Sequence, residues 1–486
     1  MFRLLFSKLI LIRNSYNISF SYWVMIKLYN TLSRKKEVFK PIVKGKAGIY
    51  SCGPTVYSYQ HIGNMRSYIF SDILRRVLEY NGYKIKHIVN VTDVGHLTSD
   101  SDGGKDKIEE AAQKERKSVS EIADYYFEIF KEDLKKLNIR EPSNFPKASL
   151  HIKEQIKLIK DLEKGGFTYE TDDGIYFDSS KFKNYGKLAK LKVSGLKAGT
   201  RVEVGNKKNK SDFALWKFSE SSGKREQEWD SPWGIGFPGW HLECSAMSMK
   251  YLGKTFDIHT GGEDHVPVHH TNEIAQSEAS TGKKFVNYWL HGAFLLSKGK
   301  KVSKSKGGLY TISDLEKQGF SATSFRYLCL QTHYRKQLNF SLENLEAAKN
   351  AYDRLKRKII NLKSQKHKGV DRTSEYGKMF LEVISDDLNI SKALDIFWKV
   401  IDDENFDVKK RLKLLEKFDE VLGLGIKKMK SEQLKLPKEV GKLLDARAEA
   451  RKNGRWEEAD ILRGRIRERG FIVEDKEEGQ IVRKMN

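Results

Sequence analysis

Ala47-Gly48-Ile49-Tyr50-Ser51-Cys52-Gly53-Pro54-Thr55, with His61-Ile62-Gly63-Asn64 just beyond it, decides how this chain folds. Residues 47 to 52 are a short apolar run closed by turn formers, which marks a buried strand. Past His61, Met65, Ile69, Ile73 and Val77 recur four apart and lay an apolar stripe along one helix face. Asn81-Gly82 is a helix stop, and Ile85 to Val91 is a second β-rich run. Strand, helix and strand in this order form the parallel βαβ unit of an α/β sheet.

Working outward, Ser118 to Tyr169 has a charged helical pattern, and Gly174-Ile175-Tyr176-Phe177-Asp178 reads as a strand within an insertion. Phe256 to Thr260 and Phe285 to Phe294 are β-rich again, so the sheet is expected in two halves with a domain inserted between them. From Leu342 onward the spacing of Leu345, Tyr352, Leu355, Ile359 and Ile360 is helical. Pro437 marks a boundary before a last, Arg-rich helical segment. A chain of 486 residues is too long for one core. The division expected is 25–340 for the α/β domain, with an insertion at about 115–205, then 341–428 as a helical bundle and 429–486 as a small C-terminal domain. Residues 1–24 carry Arg3, Lys8 and Arg13 and no acidic residue. They are either a targeting segment or an extension upstream of a start at Met25.

The formal charge is 89 − 65 = +24. So large an excess suits a polyanionic partner, nucleic acid or an anionic surface, although a solvated basic surface gives the same count. Hydrophobic content of 39% and aromatic content of 11% supply packed cores and argue against disorder throughout. Cys52, Cys244 and Cys329 are odd in number and far apart, which suits a reducing cytoplasmic setting rather than a disulfide framework. Cys329 lies in an apolar helical run, Phe325 to Leu330, and reads as core. No run has the length of a membrane span.

Two segments carry phosphate chemistry. His61-Ile62-Gly63-Asn64 stands between a strand and a helix start, where free N–H groups and the positive dipole end meet a polar pair. Gly63 lets a ligand approach the backbone closely. The structural alternative for His61 is a helix cap. Lys301-Val302-Ser303-Lys304-Ser305 follows Gly299-Lys300 and reads either as a mobile basic loop that closes on a triphosphate or as a solvated charge run. In this order on an α/β background, the two resemble the signature motifs of class I aminoacyl-tRNA synthetases. The resemblance implies a Rossmann-like catalytic domain, ATP with Mg²⁺, and roles for His61, Gly63, Asn64, Lys301 and Lys304 at the phosphates. It holds although the first signature ends in Asn64 rather than His and the second has Val302 where Met is usual.

Four further residues have metal-ligand chemistry. Cys52 closes the first strand, Cys244 lies in Gly239-Trp240-His241-Leu242-Glu243-Cys244, and His269 and Glu273 are spaced i, i+4 on one helix face. Two sulfurs, an imidazole and a carboxylate suit Zn²⁺. The bland alternative is two buried thiols and a surface His-Glu pair. Tyr50 to Tyr57, Gly236 to Met247 and His269 to Gln276 are similar to cysteinyl-tRNA synthetases in particular. That resemblance, covering roughly Met25 to the C-terminus, implies one zinc ion held by Cys52, Cys244, His269 and Glu273 and touching the substrate thiolate. It further implies Thr92 and Trp240 in the cysteine pocket, L-cysteine, ATP and the cysteine tRNA as partners, no membrane, and a monomer.

The resemblance also places a helical bundle and an anticodon-binding domain in the C-terminal part. There Arg447, Arg451, Arg455, Arg463, Arg465, Arg467 and Arg469 crowd around Trp456. Guanidinium groups contact phosphates and stack on bases, but interleaved Glu449, Glu457, Glu458 and Glu468 equally fit a salt-bridged helical surface. Gly95 to Gly104 departs from the family pattern. His96, Asp100 and Asp102 there read as a second metal site or as a solvated loop. Two other functions stay in view: a relative that joins cysteine to an amino-sugar acceptor, and a non-catalytic RNA-binding protein with a structural zinc.

Overall fold

The computed structural model describes residues 24–94, 106–190, 207–219, 225–297, 300–301, 310–366, 368–430, 436–476 and 479–485. Residues 1–23, the His96-Asp100-Asp102 loop, Lys304 and most of the basic segment around it lie outside them. The chain divides into two compact units, Met1–Lys427 and Lys428–Asn486.

The first unit opens on an antiparallel hairpin of β1 (Lys27–Asn30) and β2 (Lys35–Val38). Then comes the expected βαβ unit: β3 (Lys46–Ser51), α1 (Ile62–Tyr80) and β4 (Lys84–Val89), with β3 and β4 parallel. Met65, Ile69, Ile73 and Val77 are all buried, so the four-residue spacing is the face that packs on the sheet. The stop falls where expected, with Asn81 as C-cap and Gly82 at φ 87°.

The helical reading of 118–169 holds for α3 (Val119–Lys136) and α4 (Ile152–Lys164), preceded by α2 (Lys107–Glu115). It fails between them. Pro142 and Pro146 disfavour helix there, and the extended chain instead lies along the sheet, bridging Asn144 to Ile88 and Lys147 to Val91. An antiparallel sheet follows, β5 (Thr168–Thr171), β6 (Gly174–Phe177), β7 (Phe213–Phe218) and β8 (Gly236–Pro238), in that spatial order. β7 and β8 lie past position 205 and still pair with this sheet.

The chain then returns through α5 (Trp240–Leu252), β9 (Phe256–Gly262), α6 (His269–Thr281) and β10 (Val286–Gly292). The main sheet has the order β10-β9-β3-β4 with all strands parallel, so β3 and β9 join its two halves. Tyr50, Ile88, Phe256, Phe285 and Trp289 pack in one core at this junction. α5 and α6 are buried almost all round, which is why no apolar stripe marks them in the sequence.

Beyond the sheet run β11 (Leu295–Ser297), β12 (Lys300–Lys301), α7 (Ile312–Lys317), α8 (Ala322–Leu330) and β13 (Leu338–Phe340). Cys329 is buried on α8, as expected. Four helices complete the unit: α9 (Leu342–Ser364), α10 (Thr373–Ser385), α11 (Ile390–Asp402) and α12 (Val408–Leu422). Buried Asp72 on α1 accepts from Arg76 Nε and forms an ion pair with Arg326, each at 2.7 Å, and Arg326 Nε donates to Leu422 O at 2.8 Å. The sheet's first helix is thereby tied to the end of α12.

The second unit contains α13 (Lys438–Lys452), α14 (Trp456–Glu468), β14 (Phe471–Lys476) and β15 (Gly479–Lys484). The expectation of helix throughout is corrected here. Gly470, at φ 81°, ends the helix. Phe471 and Val473 are then buried while Ile472 is exposed, the alternation of a strand packed on one face.

Candidate active site

The carboxyl ends of β3, β4 and β9 open into a cleft of about 480 Å³, where ligands of open α/β sheets are expected. His61 leads α1 at its rim. Its Nδ1 accepts from the Asn64 N–H at 3.2 Å, and Asn64 Oδ1 accepts from the His61 N–H at 3.2 Å. His61 is therefore the helix cap that one sequence reading required, yet it also lines the cleft beside Gly63 and Asn64. A Cβ on residue 63 would sit 2.9 Å from His61 Nδ1. Glycine thus makes room for the capping ring as well as for a ligand.

Lys301 ends β12, which pairs with β11 through Leu296. The described chain resumes at Tyr310, whose carbonyl accepts from the Ile62 N–H at 2.9 Å, and Thr311 bridges His61. The chain at Tyr310 and Thr311, beyond the second signature segment, is thus anchored at the start of the helix that the first one opens.

Deeper in the cleft the sulfurs of Cys52 and Cys244 and one ligand atom each of His269 and Glu273 lie within 4.8 Å of one another. They come from three features: Cys52 from the end of β3, Cys244 from the second turn of α5, and His269 and Glu273 from one face of α6. A second set, Cys52, His259, His270 and Glu273, meets the same limit. Glu273 Oε2 is 2.8 Å from His259 Nε2, while Oε1 lies 2.9 Å from His269 Nε2 without receiving a hydrogen bond of good geometry. His241 faces the other ring nitrogen of His269 at 2.9 Å, and Cys52 Sγ is 3.1 Å from His270 Nε2.

Electrostatics follow from this crowding. Burial would raise the Glu273 carboxyl, but His259 and His269 hold it at about 2. Burial would lower His269, but the Glu273 carboxylate raises it to about 10. Burial pushes the Cys52 thiol up, and Cys244 is raised by its hydrogen bond to Cys52 and then by burial. A buried thiol, a half-buried one and a buried carboxylate oxygen that receives no hydrogen bond are donors that a divalent cation satisfies. The residues present fit a zinc ion of mixed sulfur, nitrogen and oxygen ligation.

Trp240, the first residue of α5, stacks on His269 at 4.3 Å and 26°. Thr92 lines the cleft with it, and its hydroxyl donates to Glu243 Oε2 at 2.8 Å. Glu243 is fully buried and its carboxyl is pushed well up by that burial. Sequence reasoning passed over Glu243, His259 and His270. The available signal was a histidine in the middle of β9, a strand that is buried along nearly its whole length.

Residues 38–350 match the family model for the tRNA synthetases class I (C) catalytic domain, and residues 434–483 match the cysteinyl-tRNA ligase anticodon binding domain. Cysteine–tRNA ligase 1 of Burkholderia lata is 46% identical over 456 residues, covering 94% of this chain and 96% of the relative. The chain belongs to the cysteine–tRNA ligase family. The cysteine–tRNA ligase of Treponema denticola is 44% identical over 482 residues, with 93% and 98% of the two chains covered. Members of this family are ATP-dependent ligases, and the chain accordingly charges tRNA with cysteine. The α/β fold expected from the first strand is also that of a Mycobacterium tuberculosis methionyl-tRNA synthetase, at a TM-score of 0.58 and 13% identity over 79% of this chain and 93% of that one. No helix among the described residues of this ligase is long and apolar enough to cross a membrane.

In the ligase's second unit, several of the crowded arginines are engaged within the chain. Arg447 is buried, donating to both carboxylate oxygens of Asp475 at 2.8 Å and to Gln480 at 2.9 Å. It is a structural anchor rather than a group held out to RNA. Arg451, Arg455, Arg463 and Arg469 pair with Asp475, Glu458, Asp460 and Glu439. Trp456 is exposed, with the Arg451 guanidinium 5.3 Å from its ring centre.

Proposed function

We propose that the chain activates L-cysteine with ATP, releasing pyrophosphate, and then passes the cysteinyl group to the 3′ terminal ribose of the cysteine tRNA. The observation that carries this reading is the convergence of Cys52, Cys244, His269 and Glu273 in the same cleft that His61 and Asn64 line. In the first step a cysteine carboxylate oxygen bonds to the α-phosphorus of ATP as the bond to the pyrophosphate oxygen breaks. In the second a ribose hydroxyl takes the acyl carbon and AMP leaves. The methionyl-tRNA synthetase of like fold, described in complex with methionyl-adenylate, supports an adenylate in such a cleft.

Cys52, Cys244, His269 and Glu273 would hold a zinc ion, which when bound supplies a soft Lewis acid that prefers thiolate to hydroxyl. Serine differs from cysteine by one atom, and shape alone separates such pairs poorly. Glu273, a weaker ligand than a third thiolate, would be the most readily displaced of the four donors. Trp240, stacked on His269, and Thr92, pinned to Glu243, line the part of the cleft that takes the amino acid. His61, Gly63 and Asn64 receive ATP at the helix start, where the positive end of the α1 dipole faces the phosphates. Lys301 and Lys304 bring cations to the phosphates as charge builds there, with Mg²⁺ accompanying ATP. We assign 25–340 to catalysis, 341–428 to the connecting bundle and 429–486 to the anticodon.

Cysteine-dependent exchange of pyrophosphate into ATP tests the assignment. Lys304→Ala is expected to lower exchange by about 100-fold, the scale for one charge-stabilising group, while leaving cysteine affinity within about twofold. Equal loss of both removes Lys304 from the chemistry.

A further inference from the structure

Outside the cleft, one exposed aromatic cluster has no role in the account so far. Tyr59, two residues before His61, is 44% exposed, and Tyr125 on α3 is 43% exposed. Their hydroxyls meet at 3.2 Å. Both rings stand edge-on against Tyr126, at 5.2 Å and 5.1 Å, and Tyr126 is anchored from behind by donating to Glu115 at 2.5 Å. A buried tyrosine thus holds two exposed ones in fixed orientation, so little side-chain entropy is lost when something stacks on them. Lys117 Nζ lies 4.6 Å from the Tyr125 ring centre. Lys114 and Arg116, near Lys117 in the chain, are exposed; the Glu115 carboxylate is occupied by Tyr126 and by Lys117 at 3.4 Å, and Asp314 accepts from the Thr311 N–H at 3.0 Å. Exposed Glu121 accepts from the Ser118 N–H at 2.8 Å, and Asp124 pairs with Lys147. The cluster is continuous with the cleft through Tyr57 and Gln60, which line it.

We propose that Tyr59 and Tyr125, with Lys117, form a stacking platform for the unpaired nucleotides that precede the terminal adenosine of the tRNA. This rests on the reading of the cleft as the site where the acyl group meets the terminal ribose. The single-stranded end must run along the rim to reach that site, and aromatic rings with adjacent cations are the surface that holds unpaired bases without regard to sequence. A protein partner has less to offer here, because the patch is two rings wide and flanked by charge.

The test compares Tyr59→Ala/Tyr125→Ala with Tyr59→Phe/Tyr125→Phe in the full-length enzyme. Stacking on an aromatic contributes enough that the Ala pair is expected to raise the KM for tRNA in aminoacylation by about tenfold or more. The Phe pair should stay within about twofold of the wild type, since each ring is kept. Pyrophosphate exchange without tRNA is expected to be equal in all three. 2-Aminopurine in the unpaired end should be quenched by the wild type and the Phe pair and not by the Ala pair. Unchanged tRNA kinetics in the Ala pair, or an equal defect in the Phe pair, overturns the platform. So does a parallel loss of exchange, which would place the tyrosines in the fold of the cleft. Absence of exchange in the wild type would instead overturn the adenylate reading, leaving the aminoacylation comparison to judge the platform.

Discussion

At the scale of single residues, His61 shows how a structural role and a chemical one coincide. Its Nδ1 caps α1, which turns the ring so that it borders the cleft. Gly63→Ala would place a methyl 2.9 Å from that nitrogen. Loss of the cap is expected to lower stability by about 1 kcal/mol and to slow pyrophosphate exchange because the ring must move. A melting curve and an exchange rate on the same preparation check this, and an unshifted melt with normal exchange refutes it. His61, the Cys52-Cys244-His269-Glu273 quartet and Trp240 were singled out in the sequence through resemblance to a known family, because each residue taken alone also fitted a purely structural reading. Glu243 and His259 were not. Their importance comes from being buried against Thr92 and Glu273, partners distant in the chain.

At the scale of elements, α3 carries a titratable group that opposes folding at neutral pH. Asp133 is buried, and desolvation raises its carboxyl to about 6 from an ordinary 3.8. A carboxyl whose folded pKa is raised favours the folded state when protonated. The stability difference is therefore fully present below about 3.8 and is lost as pH rises through about 6. Asp133→Asn, which is always neutral, is expected to raise the melting temperature at pH 8 and to lose its advantage near pH 4. An advantage independent of pH would contradict the assigned cause. The elements themselves were unevenly legible. α1 announced its period because Met65, Ile69, Ile73 and Val77 recur four apart in the chain, while β1 and β2, of four residues each, fall below what periodicity resolves. The hairpin of β14 and β15 was hidden within an Arg-rich stretch that reads as helix until Gly470 interrupts it.

At the scale of the whole molecule, the charge of +24 was ambiguous in sequence. Family membership now directs it to tRNA, while Arg447 shows that part of the positive charge is spent on internal structure. Arg447→Ala is expected to destabilise the C-terminal unit by about 2 kcal/mol, the scale of a charged hydrogen bond left unmade. Its melting in full-length protein should shift even without tRNA, and a defect seen only in tRNA affinity would make Arg447 an RNA contact instead. Binding of tRNA should also weaken steeply with salt, as counterion release requires.

The central claim is that the Cys52, Cys244, His269 and Glu273 cluster chooses the amino acid by its sulfur. The measurement that tests it most directly is the ratio of cysteine- to serine-dependent pyrophosphate exchange before and after chelation of the metal, and after zinc is restored. The ratio should collapse on chelation, chiefly through cysteine, and recover with zinc. A stripped enzyme that still prefers cysteine as strongly as before would contradict the account.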